Sequence, residues 1–234
     1  MTTAKASDDL LWEPGPRGEV PVSRRHGDPF YARTDGFAEA RHVFLDGNRL
    51  PGRWHGGLRS FRIAELGFGT GLNVLAAWHL WRERAAPGAV LTVTSFELAP
   101  LAPADMARAL AAFPELSDLA ARLLAVWDGR GGVFDLGGLA LEVVEGDARR
   151  TVPRWTGCAD AWFLDGFAPS RNPQMWEPAL LSAVAARMAP GATLATYSAA
   201  GAVRRALAAA GLVVGKRPGF GAKREMCIAA RAAA

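Results

Sequence analysis

The chain has 234 residues, 50% of them hydrophobic, and carries 27 Lys plus Arg against 23 Asp plus Glu for a formal net charge of +4. That length suits one large domain with a substantial core, and the positive balance suits a polyanionic partner. Two cysteines, Cys158 and Cys227, exclude a disulfide framework and offer no paired zinc spacing, so no metal is expected. No long apolar span or signal-peptide pattern occurs, which points to a cytoplasmic protein without a membrane partner.

Residues 1–20 are rich in proline, glycine and charge, and an irregular start is expected there. From Val20 to Trp54 short runs are broken by glycine and aspartate, and Val43, Phe44 and Leu45 fit either a strand or a helix end. Residues 1–60 are therefore expected to form an N-terminal extension folded onto a main domain of residues 61–234. From Phe61 strands and helices alternate. FRIAEL, VLTVTSFEL, LALEVVEGDA, DAWFLDGFAP and ATLATYS read as strands. Helical patterns lie between them, as in LNVLAAWHLWRER and PQMWEPALLSAVAARM. LVVGKR and EMCIAA, joined through PGFGAKR, read as a terminal hairpin. The pattern predicts a doubly wound α/β sheet, mostly parallel and seven-stranded, with an antiparallel strand near the end.

The first strand of the main domain runs into IAELGFGTGLN, which places Gly67, Gly69 and Gly71 at every second position before Leu72 and Asn73. In a dinucleotide fingerprint the last glycine falls three residues after the second, so a pyrophosphate cofactor is disfavoured. Glycines let backbone approach a ligand closely, and Glu65, two residues before the turn, suits an ammonium group. S-adenosylmethionine offers that group. Glu97 ends the second strand, where a carboxylate can accept ribose hydroxyls. Asp147 ends the third, placed for an adenine amino group, and Asp165 ends the fourth. Four consecutive strands that end in acids at one sheet edge are hard to explain as core packing. Lys216, Arg217, Lys223 and Arg224 cluster around the glycines of the hairpin loop, either as a binding surface or as a solvated edge. His26, His42, His55 and His79 have no metal-ligand spacing and read as structural.

ELGFGTGLN, DAWFLDGFAPSRNPQMW and GFGAKREM, with PVSRRHGDPFY and HVFLDGNRL upstream, closely resemble the tRNA 5-aminomethyl-2-thiouridine methyltransferase family. This is the family of MnmD and of the methyltransferase domain of bifunctional MnmC. The resemblance runs from Pro21 to Ala230 and rests chiefly on the FLDGFAP-x-x-NP-x-MW string. It implies a class I, Rossmann-like methyltransferase that uses S-adenosylmethionine to methylate the primary amine of a wobble uridine in tRNA. The chain leaves no room for a flavin-dependent oxidase domain, so other enzymes are expected to supply the aminomethyl substrate.

The resemblance also implies roles for residues. Asp165 is expected to orient the acceptor amine and to take its proton directly or through water. Phe167, Asn172, Pro173, Met175 and Trp176 are expected to wall the uridine pocket, with Trp176 as a core residue the alternative. Arg171 stands where the family's string has lysine, and keeps the charge with another geometry. Phe30 and Tyr31 either cover the cofactor or pack the extension, and Lys223 and Arg224 are expected to meet RNA phosphate. Two other functions remain open: a methyltransferase for a small-molecule or protein amine, and a nucleic-acid-binding module with a degenerate cofactor site.

Overall fold

A computed structural model describes residues 10–55 and 57–233. The expected irregular start lies partly outside these residues, at positions 1–9, and its remainder is regular. β1 (Leu10–Gly15) and β2 (Gly18–Ser23) form an antiparallel hairpin, to which β3 (Asp28–Pro29) adds. Its register is set by the two-residue turn at Pro16 and Arg17, where Gly18 takes φ +136°. Proline and glycine mark this turn rather than disorder. The chain continues through α1 (Gly36–Ala40), a π-helical segment (Arg41–Asp46) and α2 (Leu50–Arg53).

The main sheet follows. Its strands are β4 (Ser60–Leu66), β5 (Val90–Glu97), β6 (Gly132–Asp135), β7 (Leu139–Glu145), β8 (Ala159–Leu164), β9 (Met188–Thr196), β10 (Val213–Pro218) and β11 (Glu225–Ala230). The helices between them are α3 (Leu72–Arg84), α4 (Pro103–Leu110), α5 (Ser117–Leu124), α6 (Ala148–Arg154), α7 (Pro178–Ala186) and α8 (Gly201–Ala209). The spatial order is β10-β11-β9-β8-β4-β5-β7-β6, with β4, β5, β7, β8 and β9 parallel. The terminal hairpin is present: β11 pairs antiparallel with both β10 and β9. The sheet has eight strands where seven were expected. The extra one, β6, is a four-residue antiparallel edge strand whose glycine-rich lead-in reads as a turn.

Both faces of the sheet are buried, and the two-residue period of each strand divides its side chains between them. Ile63, Val93, Ala161 and Phe163 pack with α3, α4 and α5. Ala64, Leu66, Phe96, Trp162 and Leu164 pack with α6, α7 and α8. The segment before residue 60 joins the first core: Val43, Phe44, Leu45, Leu50 and Trp54 are all buried there. Val43, Phe44 and Leu45, for which both a strand and a helix end were open, lie in the π-helical segment. Asn48 ties this segment to the sheet, because its Nδ2 donates to Trp162 O at 3.3 Å and its Oδ1 accepts from Thr193 Oγ1 at 2.7 Å. Among the described residues no helix is long and apolar enough to cross a membrane. The chain leaves β4 for β5 and β7 on one side, then returns to β8 on the other. That reversal opens a crevice at the carboxyl ends of β4 and β8.

Candidate active site

The crevice is a cavity of about 720 Å³ lined by the carboxyl ends of β4, β5, β7 and β8 and roofed by residues 25–40 and the 220–223 loop. Gly67 and Gly69 enter it from β4 with φ +87° and +52°. They are glycine for different reasons. A Cβ on Gly67 would overlap the backbone carbonyl of Asp165, so the ends of β4 and β8 close on each other only without a side chain. A Cβ on Gly69 would lie 3.2 Å from Phe30 Cδ1, and that glycine keeps the cavity open beneath an aromatic roof. Gly71, at φ +76°, starts α3 and faces Leu123 and Phe68 outside the cavity.

Glu97 lines the cavity, and its carboxylate braces the turn: Oε2 accepts from Gly69 N at 3.0 Å and Oε1 from Ala99 N at 2.9 Å. Each oxygen retains acceptor capacity for a hydroxyl. Asp147 also lines the cavity, as the N-cap of α6. Its Oδ1 accepts from Arg149 N at 2.9 Å, and the Arg149 guanidinium, 2.7 Å away, holds the carboxyl below its ordinary range.

Glu65 does not reach the cavity. It is fully buried and accepts from Asn73 Nδ2 at 2.9 Å and Ser95 Oγ at 2.8 Å. Burial, reinforced by Asp165 and Glu97, pushes its carboxyl up to about 8. Glu65 thus acts on the wall through Asn73, whose Nδ2 also donates to Asp165 Oδ2 at 2.6 Å. Asp165 keeps part of its surface open to the cavity. Burial is the largest effect on its carboxyl and Glu39 and Asp28 add to it, while Asn73 and Lys223 oppose it; the result is a rise to about 7.

The loop after β8 supplies one wall. Phe167, Asn172 and Met175 line the cavity with His26 and Phe30. Phe167 stacks on His26 with centroids 4.7 Å apart and meets Phe30 edge-on at 5.2 Å. Trp176 is buried beneath this loop, where its Nε1 donates to Phe167 O at 2.9 Å, and Pro173 lies exposed at the start of a short 3-10 turn. Arg171 is exposed, next in sequence to Asn172, with its guanidinium over Gly27. Tyr31 contacts the cavity but turns its hydroxyl away, donating to Glu19 O and Ala109 O, both at 3.1 Å. Phe30 is the residue over the glycine turn.

The basic hairpin divides its charges between ion pairs, the cavity and the surface. Lys216 pairs with Glu225 at 2.8 Å, and Arg217 donates to Asp46 O at 2.7 Å. Lys223 lines the cavity, where its Nζ lies 3.0 Å from Glu39 Oε1 and 3.8 Å over the Tyr197 ring. Arg224 is exposed outside it. Glu39, Asp28 and Tyr197 belong to the site and were not singled out from the sequence. Tyr197 follows β9 at the edge where the other strands end in acids, and that position was the available signal. Its hydroxyl donates to Gly166 O at 2.6 Å. His26 also belongs to the wall, whereas His42 and His55 bond backbone carbonyls and His79 lies 3.3 Å from Glu83.

The cavity therefore has one region with Glu97, Asp147 and an open glycine turn, and another with Asp165 among aromatic rings. These features fit a cofactor with ribose, adenine and amino-acid groups beside a planar acceptor. A family profile described as S-adenosyl-L-methionine-dependent methyltransferase matches residues 114–232. The chain is 46% identical over 228 residues to the tRNA 5-methylaminomethyl-2-thiouridine biosynthesis bifunctional protein MnmC of Caulobacter vibrioides, covering 95% of this chain and 38% of that protein. It is 45% identical over 231 residues to the protein so named in Chromohalobacter salexigens, covering 96% and 33%. The chain thus spans about a third of the length of these relatives. Among solved structures, MNMC2 from Aquifex aeolicus matches with a TM-score of 0.79 at 23% identity, over 98% of this chain and 72% of that one, a likeness of fold.

Proposed function

The chain belongs to the S-adenosyl-L-methionine-dependent methyltransferase family whose profile spans its C-terminal half, and we propose that it methylates the primary amine of 5-aminomethyl-2-thiouridine at the tRNA wobble position. The product is 5-methylaminomethyl-2-thiouridine. The relatives' names point to this substrate. The observation that carries the reading is Asp165, a partly buried carboxylate that lines the cavity together with Phe167 and accepts from Asn73 Nδ2.

In this reading the Gly67–Gly69 turn, Asn73, Glu97 and Asp147 hold the cofactor, with Glu65 behind Asn73. Bound there, S-adenosylmethionine supplies a methyl group on a positively charged sulfur. Phe167, Phe30 and Met175 offer apolar surface to the uracil ring and exclude water around the amine. An aminomethyl group is mostly protonated near neutral pH and must lose a proton before its lone pair can form a new bond. Asp165, titrating near 7, holds the amine and accepts that proton at a carboxylate oxygen. The segment before residue 60 roofs a methyltransferase domain that begins near residue 61. An earlier modification step supplies the aminomethyl group, and the setting is cytoplasmic.

Nucleoside mass spectrometry tests the proposal: tRNA carrying 5-aminomethyl-2-thiouridine should gain one methyl group on incubation with the protein and cofactor, and Asp165→Asn should abolish the gain. Failure of the parent protein to convert this tRNA, alongside methylation of a free amine, would favour a small-molecule or protein substrate.

A further inference from the structure

We propose that Arg25 and Arg171 form a phosphate-binding rim at the mouth of the cavity and hold the RNA backbone beside the base that enters. The proposal rests on the tRNA reading above and adds where the polyanion lies. Arg25 sits on the turn between β2 and β3 and lines the mouth, and Arg171 sits in the loop after β8.

Turn and loop interlock. Gly27 takes φ +61°, and a Cβ there would lie 3.1 Å from Arg171 Nη1, so the guanidinium packs over the bare turn. His26 Nδ1–H donates to Arg171 O at 3.2 Å, and the Asp28 carboxylate accepts from Ala168 N at 2.8 Å. The His26 ring stacks on Phe167 in the same contact. The two cations are thus carried on one braced unit whose inner face is the aromatic wall.

Charge accounting favours this rim over the C-terminal hairpin. Of the four hairpin cations, Lys216, Arg217 and Lys223 are occupied by Glu225, Asp46 O and Glu39, which leaves Arg224 as a single exposed charge away from the cavity. Arg33 pairs with Glu13, and Arg149 with Asp147 and Glu177. Among the described residues, the side chains of Arg25 and Arg171 have no carboxylate partner, and both are exposed. The acid of the same turn, Asp28, accepts from the Ala168 amide. Guanidinium groups presented this way suit phosphate oxygens, and a base inserted against Phe167 brings its own phosphates to the mouth.

The test is the salt dependence of binding to a tRNA with a wobble uridine, read by fluorescence anisotropy. It compares the parent, the Arg25→Gln/Arg171→Gln double variant and a Lys216→Gln/Arg224→Gln comparator. Loss of two phosphate contacts should lower the slope of log affinity against log salt by about 1.4 to 1.8, and affinity at low salt by about tenfold or more. The comparator should change the slope less, and Arg171→Lys should retain most of it. Calorimetric binding of S-adenosylhomocysteine should be unchanged in the double variant, which shows that it is folded. A double variant with the parent's slope overturns the rim alone. So does a comparator that loses more slope than the double variant, since it moves the surface to the hairpin. A parent protein without salt-dependent tRNA binding overturns both the rim and the tRNA reading.

Discussion

Asn73 donates from Nδ2 to Asp165 Oδ2 at 2.6 Å, and the other hydrogen of that nitrogen serves Glu65 Oε1 at 2.9 Å. One neutral amide therefore links an acid at the cavity to an acid that never reaches it. Asn73 is the second residue of α3. Its place depends on the glycine turn before it, so turn, amide and acid form one connected wall.

Removing this donor should raise the Asp165 carboxyl further, because Asn73 stabilises its charged form. In Asn73→Ala the acidic limb of the kcat/KM profile should move up by about one pH unit, on the scale of about 1.5 to 3 kcal/mol for a hydrogen bond to a charged group. Activity at pH 7 should fall by about fivefold, since the ionised fraction drops from about one half to about one tenth. An unmoved limb would dissociate Asp165 from the pH dependence of the reaction.

Glu65 predicts a pH dependence of stability. Its folded carboxyl is raised from 4.5 to about 8, so the folded state keeps a proton that the unfolded state releases across that window. The stability from this group is complete below the unfolded value and is lost as pH rises through about 8. Glu65→Gln stays neutral throughout. Its stability relative to the parent should grow by about 2 to 4 kcal/mol from acid to mildly alkaline pH, measured by urea unfolding. A difference that stays flat with pH would show that Glu65 is already charged inside the fold.

The two glycines of the turn should separate in their effects. Gly67→Ala drives a Cβ onto the Asp165 backbone and should cost about 3 kcal/mol or more of stability, with activity lost as the end of β8 shifts. Gly69→Ala meets only the edge of the Phe30 ring and should cost about 1 to 2 kcal/mol from its left-handed backbone. Its larger effect should be on cofactor affinity. Urea unfolding and calorimetric titration of both variants distinguish them, and equal stability losses would contradict the contacts described.

Lys223 is placed to tune the site. Lys223→Met removes a cation that lowers the Asp165 carboxyl and releases Glu39. The acidic limb should rise by a few tenths of a pH unit, a modest shift because the lysine is 44% exposed. Lys223→Arg should restore it. The salt slope of tRNA binding should stay close to the parent's, and a drop of nearly one would return Lys223 to the phosphate surface.

The doubly wound sheet is legible in the residues alone, because two-residue and helical periods alternate from Phe61 onward and glycine and proline punctuate them. The same alternation also placed the strand-end residues Gly67, Gly69, Glu97, Asp147 and Asp165 at the cavity, since parallel strands joined by right-handed crossovers bring their carboxyl ends to one edge. Tertiary structure decided which way side chains at that edge turn. Glu65 lies one pleat too deep and is buried, Tyr31 points its hydroxyl into the packing of α4, and Trp176 props the loop from below. It also decided what the charges face. Lys223 and Glu39 stand 184 positions apart, and Gly27 and Arg171 meet only because the N-terminal turn folds over the loop after β8. Local periodicity carries no information about such pairs, since each depends on how two distant segments close over the same crevice.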